Sequence, residues 1–326
     1  MDLSIKLNNL VKKIRTNSIQ DINRKRPSYF RNKYTHFLYK YIAKNPFSEV
    51  WQGQWYEYNK IVKNYLNATY DIETLFPKNA NVYDEKNIWV YWNTGMETAP
   101  EIVKKCYLQL QKRVPSGYRL INLSQKNIDD FVLFPDFITE KIATGRISQT
   151  HFSDILRTAV IYRYGGIWFD ATCLLTDDIP KRVLNSKFFV FQANRLNQNE
   201  TRPPIKCSSW FISSNLPKCR IPERTLQILL AYWQNNKRLC HYYLYHIIIA
   251  ALIDHDEQCA EIWNEMPYIC NMNPHVLMFS LGNAYTEDLW QNAIESCFVH
   301  KLTYKYDKKL MESTKENFLQ HLMRLF

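Results

Sequence analysis

Residues 151–172, HFSDILRTAVIYRYGGIWFDAT, decide the fold class of this chain. Phe152, Ile155, Leu156, Ala159 and Val160 recur at i, i+3, i+4, i+7 and i+8, a spacing that stacks them on one helix face and turns Asp154 and Arg157 the other way. Gly165 and Gly166 supply the positive φ that helix ends favour. The bulky run Ile167 to Phe169 then suits a strand covered on both faces. Asp170, Ala171 and Thr172 follow at its carboxyl end, the side of an open α/β sheet where ligands bind. Taken singly, Asp154 and Arg157 read equally as an exposed i,i+3 ion pair contributing about 0.2–0.5 kcal/mol, and Asp170 as a turn cap. Helix, glycine pair and strand-end carboxylate together form a constellation with a mechanism.

Outward from this stretch, the pattern alternates. Strands are predicted at 88–92 and 118–122, helices at 100–113, near 136–143 and at 150–164, and a strand at 167–170. Two more strands follow at 188–191 and 210–213, then helices at about 222–236, 241–253 and 286–296. Such alternation implies a mainly parallel sheet with helices on both faces, preceded by a helical region to about residue 75.

SDILRTAVIYRYGGIWFDAT resembles the core motif of the capsular-polysaccharide-synthesis sugar transferases, relatives of glycosyltransferase family 32. The likeness runs through IWVYWNTGMETAPEIVKKC (88–106), THFSDILR (150–157), SSWFISS (208–214), YYLYHIII (242–249) and HKLTY (300–304), covering most of residues 85–306. It implies a GT-A fold, Rossmann-like, with a mainly parallel sheet and flanking helices. It also implies that Asp154 and Arg157 hold the donor sugar and that Asp170 holds a divalent metal, Mn²⁺ or Mg²⁺, on the nucleotide diphosphate.

Thr172 stands where the family's Asp-x-Asp has its second carboxylate, a departure also found in the capsular branch. A hydroxyl is a weaker, neutral ligand, and His300 is the residue expected to come back and complete the metal site. Trp92 and Asn93 are expected to face the base and ribose. Ser208, Ser209 and Trp210 are expected to line the acceptor side, with His246 as an acceptor-site base. Each has a plainer reading: Trp92 and His246 as core residues, His300 as a structural histidine before a short strand.

The composition, 46% hydrophobic and 22% charged over 326 residues, allows a sizeable core, and no internal period suggests a solenoid. Eight cysteines with no C-x-x-C or zinc-finger spacing read as reduced core thiols. No P-loop, Rossmann glycine fingerprint or Ser-His-Asp order is present, which leaves kinase, dehydrogenase and hydrolase readings without support. No apolar leader or run of about 18 apolar residues is seen, so a cytoplasmic protein is expected.

Charge is uneven. Of the formal +11, the first 45 residues hold eleven Lys/Arg against two Asp/Glu, a net +9. Within them Leu3, Leu7, Leu10, Val11 and Ile14 keep helical spacing between lysines, and RKRPSYFRNKY follows at 24–34. That is the pattern of a helix lying on an anionic membrane surface, with each basic residue near the lipid contributing on the order of 1 kcal/mol. Nucleic acid is the competing partner and ranks below membrane; a solvated helix packed on the domain is the plain alternative. At the other end, Ser313 and Glu316 suggest a capping box before Phe318, Leu319, Leu322 and Met323 on one face.

These readings divide the chain into a basic N-terminal extension (1–80), a GT-A domain (81–312) and a C-terminal amphipathic helix (313–326). The expected activity is retaining, metal-dependent transfer of a hexose, from UDP-galactose or UDP-glucose, to a lipid-linked oligosaccharide in capsular or exopolysaccharide synthesis. The expected site of action is the inner face of the cell membrane. A catalytically silent carbohydrate-binding or scaffold protein of the same fold is the alternative, with Thr172 as the mark of lost metal chemistry.

Overall fold

Apolar runs predicted as strands pair into a central sheet. The computed structural model describes residues 49–77, 86–193 and 204–326. The amphipathic segment Leu3 to Ile14 and the basic run 24–34 lie outside the described residues, as does the membrane reading placed on them. Seven strands lie among the described residues: β1 (Lys86–Tyr91), β2 (Tyr118–Leu123), β3 (Gly166–Asp170), β4 (Cys173–Leu175), β5 (Phe189–Gln192), β6 (Cys207–Ser214) and β7 (Val299–Lys301). The helices are α1 (Glu49–Tyr65), α2 (Glu101–Lys112), α3 (Asp136–Ala143), α4 (Gln149–Tyr164), α5 (Lys181–Leu184), α6 (Arg220–Asn235), α7 (Leu244–His255), α8 (Glu257–Glu265), α9 (Val276–Ser280), α10 (Glu287–Glu295) and α11 (Phe318–Leu325).

The sheet order is β2-β1-β3-β6-β5. β1 runs parallel to β2 and β3, and only β6 is reversed, lying antiparallel to both β3 and β5. The result is a mainly parallel sheet with flanking helices, as the alternation implied. Ile88, Trp89 and Val90 of β1 and Ile167, Trp168 and Phe169 of β3 are all buried, which is why these central strands read as unbroken apolar runs. Beside the sheet lies a two-stranded ladder, β4 with β7, which the periodicity did not reveal because each strand is three residues long.

α4 is capped by Ser148, whose side chain accepts from the His151 N–H, and it ends at Gly165 with φ +63°. It packs between the sheet strands β1, β3 and β6 on one side and α6 on the other. Eleven of its residues are buried, Asp154 and Arg157 included, so the expected solvent-facing side of this helix is internal. The Trp89 indole donates to the Gly165 carbonyl at 3.0 Å, satisfying a carbonyl that the helix end would leave unpaired.

Tyr58 and Ile61 of α1, and Phe318, Leu319 and Leu322 of α11, belong to the same hydrophobic core as the sheet. Both α1 and α11 therefore pack into that core. The predicted capping box is corrected: Ser313 closes the preceding 3₁₀ turn, and Asn317 with Gln320 forms the reciprocal pair that starts α11. Asn317 wins because its side-chain oxygen accepts from the Gln320 N–H at 2.9 Å while the Gln320 side chain accepts from the Asn317 N–H at 3.0 Å. Among the described residues no helix is long and apolar enough to cross a membrane.

Candidate functional site

The carboxyl ends of β1 and β3 open into a cleft of about 1430 Å³. Tyr91, Trp92 and Asn93 line it from the end of β1, and Gln149, Ser153, Asp154 and Arg157 from the first half of α4. Asp170 and Thr172 enter from the end of β3, and Ser208, Ser209 and Trp210 from β6, whose reversed direction starts it at this same edge. Tyr242, Tyr243, His246, Lys301 and Tyr304 line it as well. Ten expected site residues thus share one cleft: Trp92, Asn93, Asp154, Arg157, Asp170, Thr172, Ser208, Ser209, Trp210 and His246.

Arg157 is 3% exposed and makes three hydrogen bonds. Its Nε donates to the Ser153 carbonyl at 3.0 Å, one Nη2–H reaches the Ser153 hydroxyl at 2.9 Å, and Nη1 donates to the Ser209 carbonyl. Nη2 also lies 3.2 Å from Asp170 Oδ1 and 3.5 Å from Asp154 Oδ1, and the guanidinium sits 5.3 Å above the centre of the Trp168 ring. The Trp168 indole donates to Asp170 Oδ1 at 3.0 Å. On the other side of Asp154, Oδ2 lies 3.3 Å from His151 Nδ1, while the Trp233 indole donates to His151 Nε2 at 2.8 Å.

Lys301 closes the cluster. Its ammonium donates to Asp170 Oδ2 at 3.0 Å and to the Thr172 hydroxyl at 2.5 Å. Burial by itself would raise the Asp170 carboxyl, but the charges of Lys301 and Arg157 and the Trp168 hydrogen bond hold it below the usual carboxylate range. Burial would likewise lower Lys301, and the Asp170 charge holds it above the usual lysine value. Two carboxylates, Asp154 and Asp170, therefore face two cations, Arg157 and Lys301.

His300 does not join this cluster. A β-strand sends successive side chains to opposite faces, so with Lys301 turned to Asp170 its neighbour His300 turns into the core, where it is fully buried. Its Nε2–H donates to the Ile294 carbonyl at 3.1 Å, and the Thr176 hydroxyl lies at the same distance. The expected metal-ligand role of His300 is corrected accordingly. The remaining donors for a divalent ion are the Asp170 carboxylate and the neutral Thr172 hydroxyl, with an ammonium already against both. Among the described residues no group of three His, Cys, Asp or Glu side chains is arranged to hold a metal, and these residues do not fit a protein-held divalent ion.

Burial pushes the His300 imidazole down to about 4, against an ordinary value near 6.5. The folded pKa is depressed, so the associated stability is complete above pH 6.5 and is lost as pH falls toward 4, where only the unfolded chain takes up the proton. Urea unfolding at pH 7 and pH 4.5 should show this loss. In His300→Gln the slope should diminish by about 1.4 kcal/mol per pH unit within that window.

Trp92 packs edge-on to Tyr304, with ring centroids 5.5 Å apart, and Asn93 Oδ1 accepts from the Tyr91 hydroxyl at 2.7 Å. Trp210 is 6% exposed and stacked on Phe191 at 4.7 Å, so most of its ring is core. Its indole nitrogen is buried with no partner among the described residues, as is His246 Nδ1. Burial pushes His246 down to about 4, which keeps its imidazole neutral near pH 7.

Residues 39–322 match the family described as capsular polysaccharide synthesis protein. The chain belongs to this family. Among curated relatives, Glycosyltransferase afumC of Aspergillus fumigatus is 26% identical over 100 residues, which are 28% of this chain and 26% of that protein. O-glycosyltransferase PaGT of Phomopsis amygdali is 28% identical over 103 residues, 29% of this chain and 25% of that one. The chain thus spans about a quarter of the length of these curated relatives. A distant structural likeness, with a TM-score of 0.34 and 13% identity, covers 90% of this chain and 96% of the chain titled PaToxG Glycosyltransferase.

Sequence reasoning within this family missed Lys301, one residue from the histidine it selected. The signal was present in HKLTY, since strand alternation admits either His300 or Lys301 to the cleft but not both. The choice needed the β4–β7 register, in which Lys301 stands opposite Cys173, just beyond Thr172.

Proposed function

We propose that this chain is a glycosyltransferase of capsular polysaccharide synthesis, moving a hexose from UDP-galactose or UDP-glucose to a hydroxyl of a lipid-linked oligosaccharide. One observation carries the reading: Asp154, Arg157 and Asp170 form an ion-paired charge cluster lining a cleft at the carboxyl edge of a mainly parallel sheet. An aromatic edge, Trp92 with Tyr304, lines the cleft as a place for the base, and Ser209, Trp210 and His246 line it as a place for the acceptor.

In the reaction the bond from the anomeric carbon to the diphosphate oxygen breaks, and its electron pair leaves with the phosphate. The acceptor oxygen bonds to that carbon on the same face, and its proton passes to the departing phosphate, so configuration is retained. Asp154 and Arg157, immobilised by Ser153, Ser209 and His151, orient the sugar hydroxyls for this attack. The lipid of the acceptor would hold the protein at the inner face of the cell membrane, and the +9 of residues 1–45 suits that anionic surface.

The test is nucleotide release from a panel of sugar nucleotides by the full chain, with and without a lipid-linked saccharide. Turnover of one donor, accelerated by the acceptor, is the expected result. A chain that binds saccharide but neither binds nor turns over any donor would be the silent scaffold instead.

A further inference from the structure

We infer that the Lys301 ammonium is the cation that stabilises the departing diphosphate, standing where the strand-end motif would otherwise hold a divalent ion. This rests on the glycosyltransferase reading above. β7 pairs antiparallel with β4, the strand that directly follows Asp170-Ala171-Thr172, and the Leu302 N–H donates to the Thr172 carbonyl at 2.9 Å. The ladder thereby lays Lys301 over the motif, with its nitrogen 3.0 Å from Asp170 Oδ2 and 2.5 Å from Thr172 Oγ1. Those two oxygens are the ones a metal would require.

An ammonium has three N–H donors. Two meet Asp170 and Thr172, and the side chain, 20% exposed, lines the cleft where a phosphate oxygen can take the third. As the anomeric C–O bond breaks, the negative charge that develops on the leaving diphosphate is met by a fixed cation, with no proton transfer from the lysine. Asp170 anchors this cation through Oδ2 and Arg157 through Oδ1, which sets both on one carboxylate.

Thr172 acquires a reason in this arrangement. With one carboxylate fewer and one ammonium more, Asp154, Asp170, Arg157 and Lys301 sum to zero charge. A second carboxylate at 172 would make the cluster net negative and repel a diphosphate. The hydroxyl instead accepts from the ammonium and directs it.

Calorimetric titration of the full chain with UDP, GDP, ADP, CDP and dTDP, in EDTA and then in Mn²⁺, tests this. One nucleoside diphosphate is expected to bind in EDTA, with Mn²⁺ changing its affinity by less than about threefold. Lys301→Met should weaken that diphosphate roughly 10–100-fold, the loss of one charge-assisted hydrogen bond and its field, while the matching nucleoside binds as before. Lys301→Arg should recover most of the loss. Binding that needs Mn²⁺ in the native chain overturns the inference with no variant required, as does native diphosphate affinity in a folded Lys301→Met. Absence of binding for all five nucleotides in both conditions overturns the glycosyltransferase reading itself, and this inference with it.

Discussion

Asp170→Asn should lower sugar transfer roughly 10²–10³-fold while the chain stays folded, the scale seen when one fixed charge-stabilising contact is removed from a reacting centre. Asn keeps the shape of the side chain but can present only one oxygen. Asp170 uses two, Oδ1 toward Arg157 and the Trp168 indole and Oδ2 toward Lys301. The amide NH₂ must face one of these donors, and the cation on that side loses its anchor. The cluster also passes from neutral to a net charge of +1, which should tighten nucleotide binding or leave it intact while turnover falls. Initial rates and donor affinity, measured on native and variant chains with matching near-ultraviolet circular dichroism, separate these effects. Equal turnover by a folded Asp170→Asn would sink the catalytic reading.

The second large effect concerns stability. In Gly166→Ala the added Cβ would sit 2.0 Å from the Asn87 carbonyl oxygen, and Gly166 holds φ +87°. The obstacle is the backbone of β1, the strand paired parallel to β3, so it cannot swing aside as a long side chain could. Overpacking and positive φ together should destabilise the fold by at least about 3 kcal/mol. Gly117→Ala is the control: it has φ +77° but nothing within 4 Å of the new carbon, so it should lose only the left-handed penalty of about 1–2 kcal/mol. Urea midpoints of both variants give the comparison, and similar losses would show that the β1 contact is irrelevant.

The Gly165-Gly166 pair was legible as a helix stop, and the central strands and α4 fall within a residue or two of their predicted bounds. Those elements are long enough, or apolar enough, for periodicity to speak. What could not be read is burial that depends on the second neighbour of an element. Asp154 and Arg157 looked like the exposed side of an amphipathic helix, because nothing in 151–172 announces that Ser209 at the start of β6 closes over Arg157 on that side. For the same reason the site was half legible. Residues delivered by α4 and β3 were found, whereas Lys301 depends on a three-residue ladder whose register the local sequence does not encode. Ser313 and Glu316 matched a capping pattern at the right spacing, but Asn317 offered the better acceptor one turn later.

The Asp170–Lys301 pair joins residues 131 positions apart. A chain emerging from the ribosome therefore presents Asp154, Arg157 and Asp170, with a net charge of −1, long before the last cation is synthesised. The sheet and α4 can assemble early, but the cleft reaches charge neutrality only when the C-terminal ladder docks. Completion of the site thus waits on the synthesis of β7.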